Sequence, residues 1–118
     1  MALLNAAVHP AVFEDAKKWH LEQEGSQYTL KEAALLFEAG SYKEMDKIIT
    51  VTAPIDLRIE RLLIRDNTTR EAIQARMDKQ MADEEKVKRA DFVIYNDGER
   101  GLIAQVVAIH RMLISKQV

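Results

Sequence analysis

No cysteine occurs in the 118 residues, which removes disulfides, thiolate metal sites and cysteine nucleophiles together and fits a reducing compartment without requiring one. Proline and glycine are nearly as scarce, at 2 and 4 residues, so no Pro- or Gly-rich linker divides the chain; repeats and low-complexity segments are also missing. Neither sign of charge is in large excess. With a formal net charge of −2 there is no global attraction to nucleic acid, and any anion binding must come from a local arrangement of basic side chains. No apolar run approaches the roughly 20 residues of a membrane span, and the opening Met-Ala-Leu-Leu lacks the charged and apolar regions of a signal peptide. What is present, 47% hydrophobic and 31% charged, suffices for one soluble domain over residues 1–118 with a single core. The expected setting is the cytoplasm, with neither nucleic acid nor membrane as partner.

Helical and extended patterns alternate along the chain. Pro10 can begin a helix, because its missing N–H would be unpaired there anyway, and a helix is expected over 10–24 with Val12, Phe13, Ala16 and Trp19 at mixed three- and four-residue spacing and Gly25-Ser26 as its stop. The stretch LKEAALLFEAG (30–40) favours helix by local propensity, with Gly40 placed like a C-terminal cap; a short buried strand over 28–33 running into a turn is the competing reading. KIITVT (47–52) is a β-branched run suited to a buried strand, ended by Ala53-Pro54.

From 55 to 65 the period becomes helical. Ile55, Ile59, Leu62 and Leu63 form an apolar stripe, and Arg58, Arg61 and Arg65 fall at i, i+3 and i+7 beside it. Those guanidiniums cover about 10 Å at 1.5 Å rise per residue, a span that suits a polyphosphate. The same spacing also describes a solvated stripe. Thr68-x-x-Glu71 is a capping-box pattern opening a second helix, with Ile73 and Met77 on its apolar side and Arg76 and Gln80 on a polar one; the charged run 83–89 continues it. FVIYN (92–96) is the next buried strand, closed by the turn signal Asn96-Asp97-Gly98. A closing helix over 102–114 would pack Ile103, Val106, Val107, His110, Leu113 and Ile114 inward. Two strands joined by a helical crossover imply a parallel pair and an α/β class. Asp15, Asp46 and Asp91 lack the clustering a metal site needs, so no protein metal ligand is assigned. No Gly-x-x-x-x-Gly-Lys-Ser/Thr phosphate loop occurs, so the chain carries arginines able to clamp a nucleotide without the loop that would cradle its phosphates.

The order of these pieces carries a resemblance. ALLFEAGSYKEMDKIITVTAPIDLRIERLLIRDNTTREAIQARMDKQ, followed by KRADFVIYNDG, resembles the C-terminal part of the dephospho-coenzyme A kinases, and the match extends back through LLNAAVHP to cover essentially the whole chain. Its specific parts are His9-Pro10, the 35–38 turn (LLFE), Arg61-x-x-x-Arg65-Asp66, Arg76-x-x-x-Gln80 and Ala90-Asp91-x-Val93-Ile94-x-Asn96-x-Gly98. None identifies the family alone; their order and spacing do so together.

The resemblance implies a partial P-loop nucleoside-monophosphate-kinase-like fold, a parallel sheet with helices whose N-terminal strands are missing, and a chain that is a C-terminal fragment. It implies a parent that moves the γ-phosphate of ATP, with Mg²⁺, to the ribose 3′-hydroxyl of dephospho-coenzyme A, the last step of coenzyme A biosynthesis. Arg61 would lie at the adenine side of the ATP site with the Asn96 to Gly98 loop, and Arg65 would reach the phosphates. Arg70 and Arg76 would belong to a lid within 66–90. His9, Leu36 and Glu38 would face the acceptor from the part spanning 1–46. The fragment alone, lacking the phosphate loop and base, should be inactive and bind ATP weakly at best.

Two other classes stay open, another P-loop small-molecule kinase and a non-catalytic α/β interaction domain. The family pattern also makes 28–33 a strand, against its propensity and despite Ala34 standing where a proline is common and Lys31-Glu32 where apolar residues are. In such sheets the strand leading to the phosphate loop lies between those corresponding to 28–33 and 47–52. Without it, 28–33 is expected either to refold as helix or to be covered by self-association.

Overall fold

The computed structural model describes the backbone of residues 2–115 and the side chains of 10–115. The chain divides into two units, one ending at Ala33 and one beginning at Ala34.

In the first unit, helix α1 spans Ala2–Leu21 with Pro10 inside it, so the proline does not start the helix as its type alone suggested. The preceding ALLNAAV is made mostly of good helix formers, which carry the helix through a position where one i→i−4 hydrogen bond is lost. The helix ends three residues earlier than expected, as Glu22 N–H turns back to the Lys18 and Trp19 carbonyls at 3.2 and 3.1 Å. Segment 28–33 is neither strand nor helix. A lone extended segment has no ladder to join, and among the described residues no strand stands beside it. Instead, His20 Nδ1 meets Thr29 Oγ1 at 2.6 Å and Lys31 Nζ lies 4.9 Å from the centre of the Phe13 ring, which fasten the segment to α1.

The second unit opens with the expected turn. Ala39 N–H bonds to the Leu35 carbonyl at 2.9 Å, Gly40 takes a left-handed φ of 82°, and a 3₁₀ turn follows at Ser41–Glu44. Strand β1 (Ile49–Thr52) pairs in parallel with β2 (Phe92–Tyr95), in the register Ile49 to Phe92 through Thr52 to Tyr95. Asp91 sets the start of this ladder, its carboxylate accepting from Ile48 N–H at 2.8 Å while its own N–H donates to the Ile48 carbonyl at 2.9 Å.

Helix α2 covers Ile55–Asp66 and ends at Asn67, whose φ of 48° is the left-handed conformation asparagine tolerates. Helix α3 (Arg70–Asp78) is capped by Thr69, whose hydroxyl accepts from Ala72 N–H at 3.1 Å; the cap is therefore one residue later than the Thr68 box predicted. Lys79 and Gln80 N–H fold back onto Arg76 and Met77, so α4 (Asp83–Arg89) is a separate helix and not a continuation.

Helix α5 spans Leu102–Ile114 as expected, but with a different face inward: Ile109 is buried and Gln105, Leu113 and Ile114 are half-buried, whereas Ile103 is 81% exposed and Val106, Val107 and His110 also face out. Helix α5 packs on β2, α4 on β1 and α3 on α2. Phe37, Ile73, Ile94 and Ile109 form the buried apolar core. Val51, in the strand expected to be buried, is 61% exposed.

Candidate functional site

The arginines of α2 have three different tasks. Arg58 Nη1 is paired with Asp83 Oδ2 at 3.1 Å, and the same oxygen accepts from the Thr52 hydroxyl at 2.7 Å, so Arg58 joins α2, β1 and α4 and is not the solvated end of a stripe. Arg61, one turn on, donates from Nη1 to the Asn96 carbonyl at 2.9 Å in a half-buried bond. Arg65 grips its neighbour Asp66 with a fork, Nε to Oδ1 at 2.7 Å and Nη2 to Oδ2 at 2.9 Å. Arg76 reaches the same carboxylate from α3, Nη1 to Oδ2 at 3.6 Å.

Asp66 thus gathers two arginines at the α2–α3 junction. Hydrogen bonding from Arg65 is the main cause that holds the Asp66 carboxyl below the usual carboxylate range, and the same fork raises the Arg65 guanidinium further. Both arginines stay open to solvent, with side chains 70% and 55% exposed. The Nη1 group of Arg65 has no partner among the described residues. Arg70, first in α3, does not join them and makes no ion pair among the described residues.

The loop after β2 is tightly held. Asn96 N–H continues the ladder to the Thr52 carbonyl at 2.7 Å, and Gly98 adopts φ 81°. Asp97 Oδ1 accepts from Glu99 and Arg100 N–H at 3.0 and 2.9 Å; these bonds, Arg100's first, depress its pKa. Arg100 lies 4.1 Å over the Tyr95 ring and 3.4 Å from Asp97 Oδ2. From α5, Gln105 Oε1 accepts from Tyr95 N–H at 2.7 Å and its Nε2 donates to the Tyr95 carbonyl at 3.0 Å. Gln105 was not singled out from sequence, although it is the one polar residue in the otherwise apolar first two turns of α5.

On the 35–38 turn, Leu36 accepts at its carbonyl from the Ser41 hydroxyl and Tyr42 N–H, both at 3.3 Å. Glu38 Oε2 lies 3.7 Å from Lys86 Nζ and accepts from Met81 N–H at 3.4 Å, so it supports the lead into α4. The His9 side chain lies outside the described residues.

The ladder runs from Ile48 to Asn96, which puts the Arg61 tether and the Asn96 to Gly98 loop beyond the carboxyl ends of two parallel strands, where open α/β sheets bind ligands. With the exposed Arg65 and Arg76 on the helix that leaves β1 and on its successor, the arrangement is that of an α/β protein of the P-loop kinase-like class, with the means to engage an extended anion. The family model for dephospho-CoA kinase matches residues 1–101. Dephospho-CoA kinase of Bacteroides fragilis strain YCH46 is 42% identical over 113 residues, 96% of this chain and 55% of the relative; that of Brucella melitensis is 39% identical over 110 residues, 88% of this chain and 55% of the relative. The crystal structure of TT1252 from Thermus thermophilus matches with a TM-score of 0.80 at 29% identity, covering 99% of this chain and 59% of that one. The chain belongs to the dephospho-CoA kinase family. It spans about half the length of the curated relatives it matches.

Proposed function

We propose that these residues form the arginine-bearing part of an enzyme that transfers phosphate from ATP to the ribose 3′-hydroxyl of dephospho-coenzyme A, and that residues 1–118 by themselves do not catalyse. The observation that carries this reading is the convergence of Arg65 and Arg76 on one carboxylate at the α2–α3 junction, in a chain of this family. Phosphoryl transfer depends on positioning and charge neutralisation, which mobile surface arginines supply when they exchange an internal carboxylate for phosphate oxygens. Arg61 and the Asn96 to Gly98 loop take the adenine side, Arg70 stands at the start of the lid over 66–90, and Leu36 and Glu38 belong with the acceptor.

Mg²⁺ accompanies ATP in this reading, but the described residues do not fit it. Asp66, Asp83 and Asp97 are each engaged by arginine or backbone donors, and no group of three acidic or histidine side chains assembles among the described residues, so no step is assigned to the metal here. Copies of the chain are inferred to associate, since β1 has a second edge with no strand beside it among the described residues.

A coupled kinase assay and isothermal titration on residues 1–118 test the division of labour. The expected result is no turnover of dephospho-coenzyme A and weak ATP binding; measurable turnover by these residues alone overturns it.

A further inference from the structure

We infer that Gln105 is a positioning residue which, with Arg61, pre-sets the loop after β2 so that the Asn96 carboxamide reads an adenine-type base edge; this rests on the nucleotide reading above. In a parallel ladder successive residues address their N–H and C=O alternately to the two sides. Phe92 and Asn96 N–H both bond to β1 or its lead-in, so Tyr95 between them addresses the other side, where no third strand stands among the described residues.

Gln105 takes the place of that strand. A carboxamide offers one acceptor and one donor at the spacing of a peptide unit, and its oxygen and nitrogen satisfy the Tyr95 N–H and C=O at 2.7 and 3.0 Å. The nitrogen also donates to the Gly101 carbonyl at 3.2 Å, which joins the start of α5 to the end of β2. Glutamate cannot donate, leucine can do neither, and asparagine is one methylene short.

Arg61 completes the arrangement from α2 by binding the Asn96 carbonyl, so every backbone polar group of Tyr95 and Asn96 is engaged, by β1, α2 and α5 in turn. The Asn96 carboxamide is left half-buried and without a partner among the described residues. Held on a backbone tethered from three elements, its adjacent donor and acceptor match the N7 acceptor and N6 donor of adenine, whereas the same edge of guanine presents two acceptors, N7 and O6. Fixing the backbone turns a surface amide into a discriminating one, because a mobile loop would rotate to satisfy either base.

The test uses ¹⁵N-labelled residues 1–118, as wild type, Gln105→Leu and the milder Gln105→Asn, followed by amide exchange and by titration with ATP and GTP at millimolar concentration. Wild type should protect the Tyr95 amide and show larger ATP than GTP shifts at Asn96 and Gly98. In the variants Tyr95 protection should fall by on the order of tenfold while the Ile94 amide keeps its protection, and the ATP preference should vanish. Unchanged Tyr95 protection overturns the inference, as does a preference that survives loss of the tether. No nucleotide shift in wild type despite a protected Tyr95 amide overturns the base-reading role together with the proposed nucleotide site, whereas equal shifts with ATP and GTP overturn the base-reading role alone.

Discussion

Asp66 sets the state of two arginines at once, and its ionisation makes that state depend on pH. Because its folded pKa is depressed, chiefly by the Arg65 hydrogen bonds, the pairing is complete above the unfolded carboxyl pKa of about 4 and is lost only as pH falls through the lower folded value. An NMR titration of the Arg65 Nε–H signal should therefore show no change through the range where free aspartate titrates, and a transition on the acid side of it; a midpoint at the ordinary aspartate value would contradict the fork. The arginine stripe separates by partner in the same way. In an active enzyme containing these residues, Arg65→Ala should lower kcat far more than it raises KM for ATP, since a guanidinium exchanged onto the transferring phosphate acts mainly in the transition state. Arg58→Ala should leave kcat nearly unchanged but cost about 1 kcal/mol of stability through loss of its half-buried partner Asp83, read by thermal melting. The spacing of 58, 61 and 65 was legible in the sequence. Their different tasks were not, because Asp83 and Asn96 are brought to α2 only by the fold.

At the scale of elements, what was legible followed local rules. The β-branched runs became β1 and β2, and the mixed three- and four-residue spacing became α2. The misses arose where a local signal was degenerate. Thr68 and Thr69 are adjacent, and the extended Thr69 backbone, at φ −109° and ψ 159°, is the one in capping geometry. Thr69→Ala should cost about 1 kcal/mol and Thr68→Ala only a few tenths, a contrast urea denaturation can resolve. Helix α5 is apolar nearly all round, so periodicity could not choose its inner face. The Gln105 bonds to Tyr95 choose it, turning the line Gln105, Ile109 and Leu113 inward.

For the whole molecule, the sheet is the limiting feature. Two parallel strands form a small sheet, and parallel pairs ordinarily lie buried within larger ones. The strand expected over 28–33 depended on a neighbour far away in sequence, and no helical propensity replaced it: the segment is irregular. On β1, the groups of Ile49 and Val51 address the side away from β2, whereas the matching edge of β2 is closed at Tyr95 by Gln105. An uncharged β-branched edge such as Ile-Thr-Val-Thr recruits another like itself. Sedimentation of residues 1–118 should show concentration-dependent association that Val51→Lys abolishes without lowering the melting temperature, since Val51 is 61% exposed. A wild-type chain that sediments as a monomer at high concentration would exclude pairing through this edge.

The Asp97 turn bears on how the protein ages. An Asp-Gly pair is chemically fragile, because the glycine nitrogen can attack the aspartate side-chain carboxyl carbon, expel its hydroxyl as water and form a cyclic imide that takes up water again and reopens largely as isoaspartate, inserting an extra methylene into the backbone. That route proceeds best through a protonated, freely rotating carboxyl. The Asp97 carboxyl is neither, since the Arg100 and Glu99 amides anchor it, the Arg100 guanidinium faces its other oxygen, and its proton affinity is depressed. The bonds that shape this loop therefore also slow its chemical decay: Asp97-Gly98 should outlast an unstructured Asp-Gly pair in long-lived protein and become vulnerable once the chain unfolds.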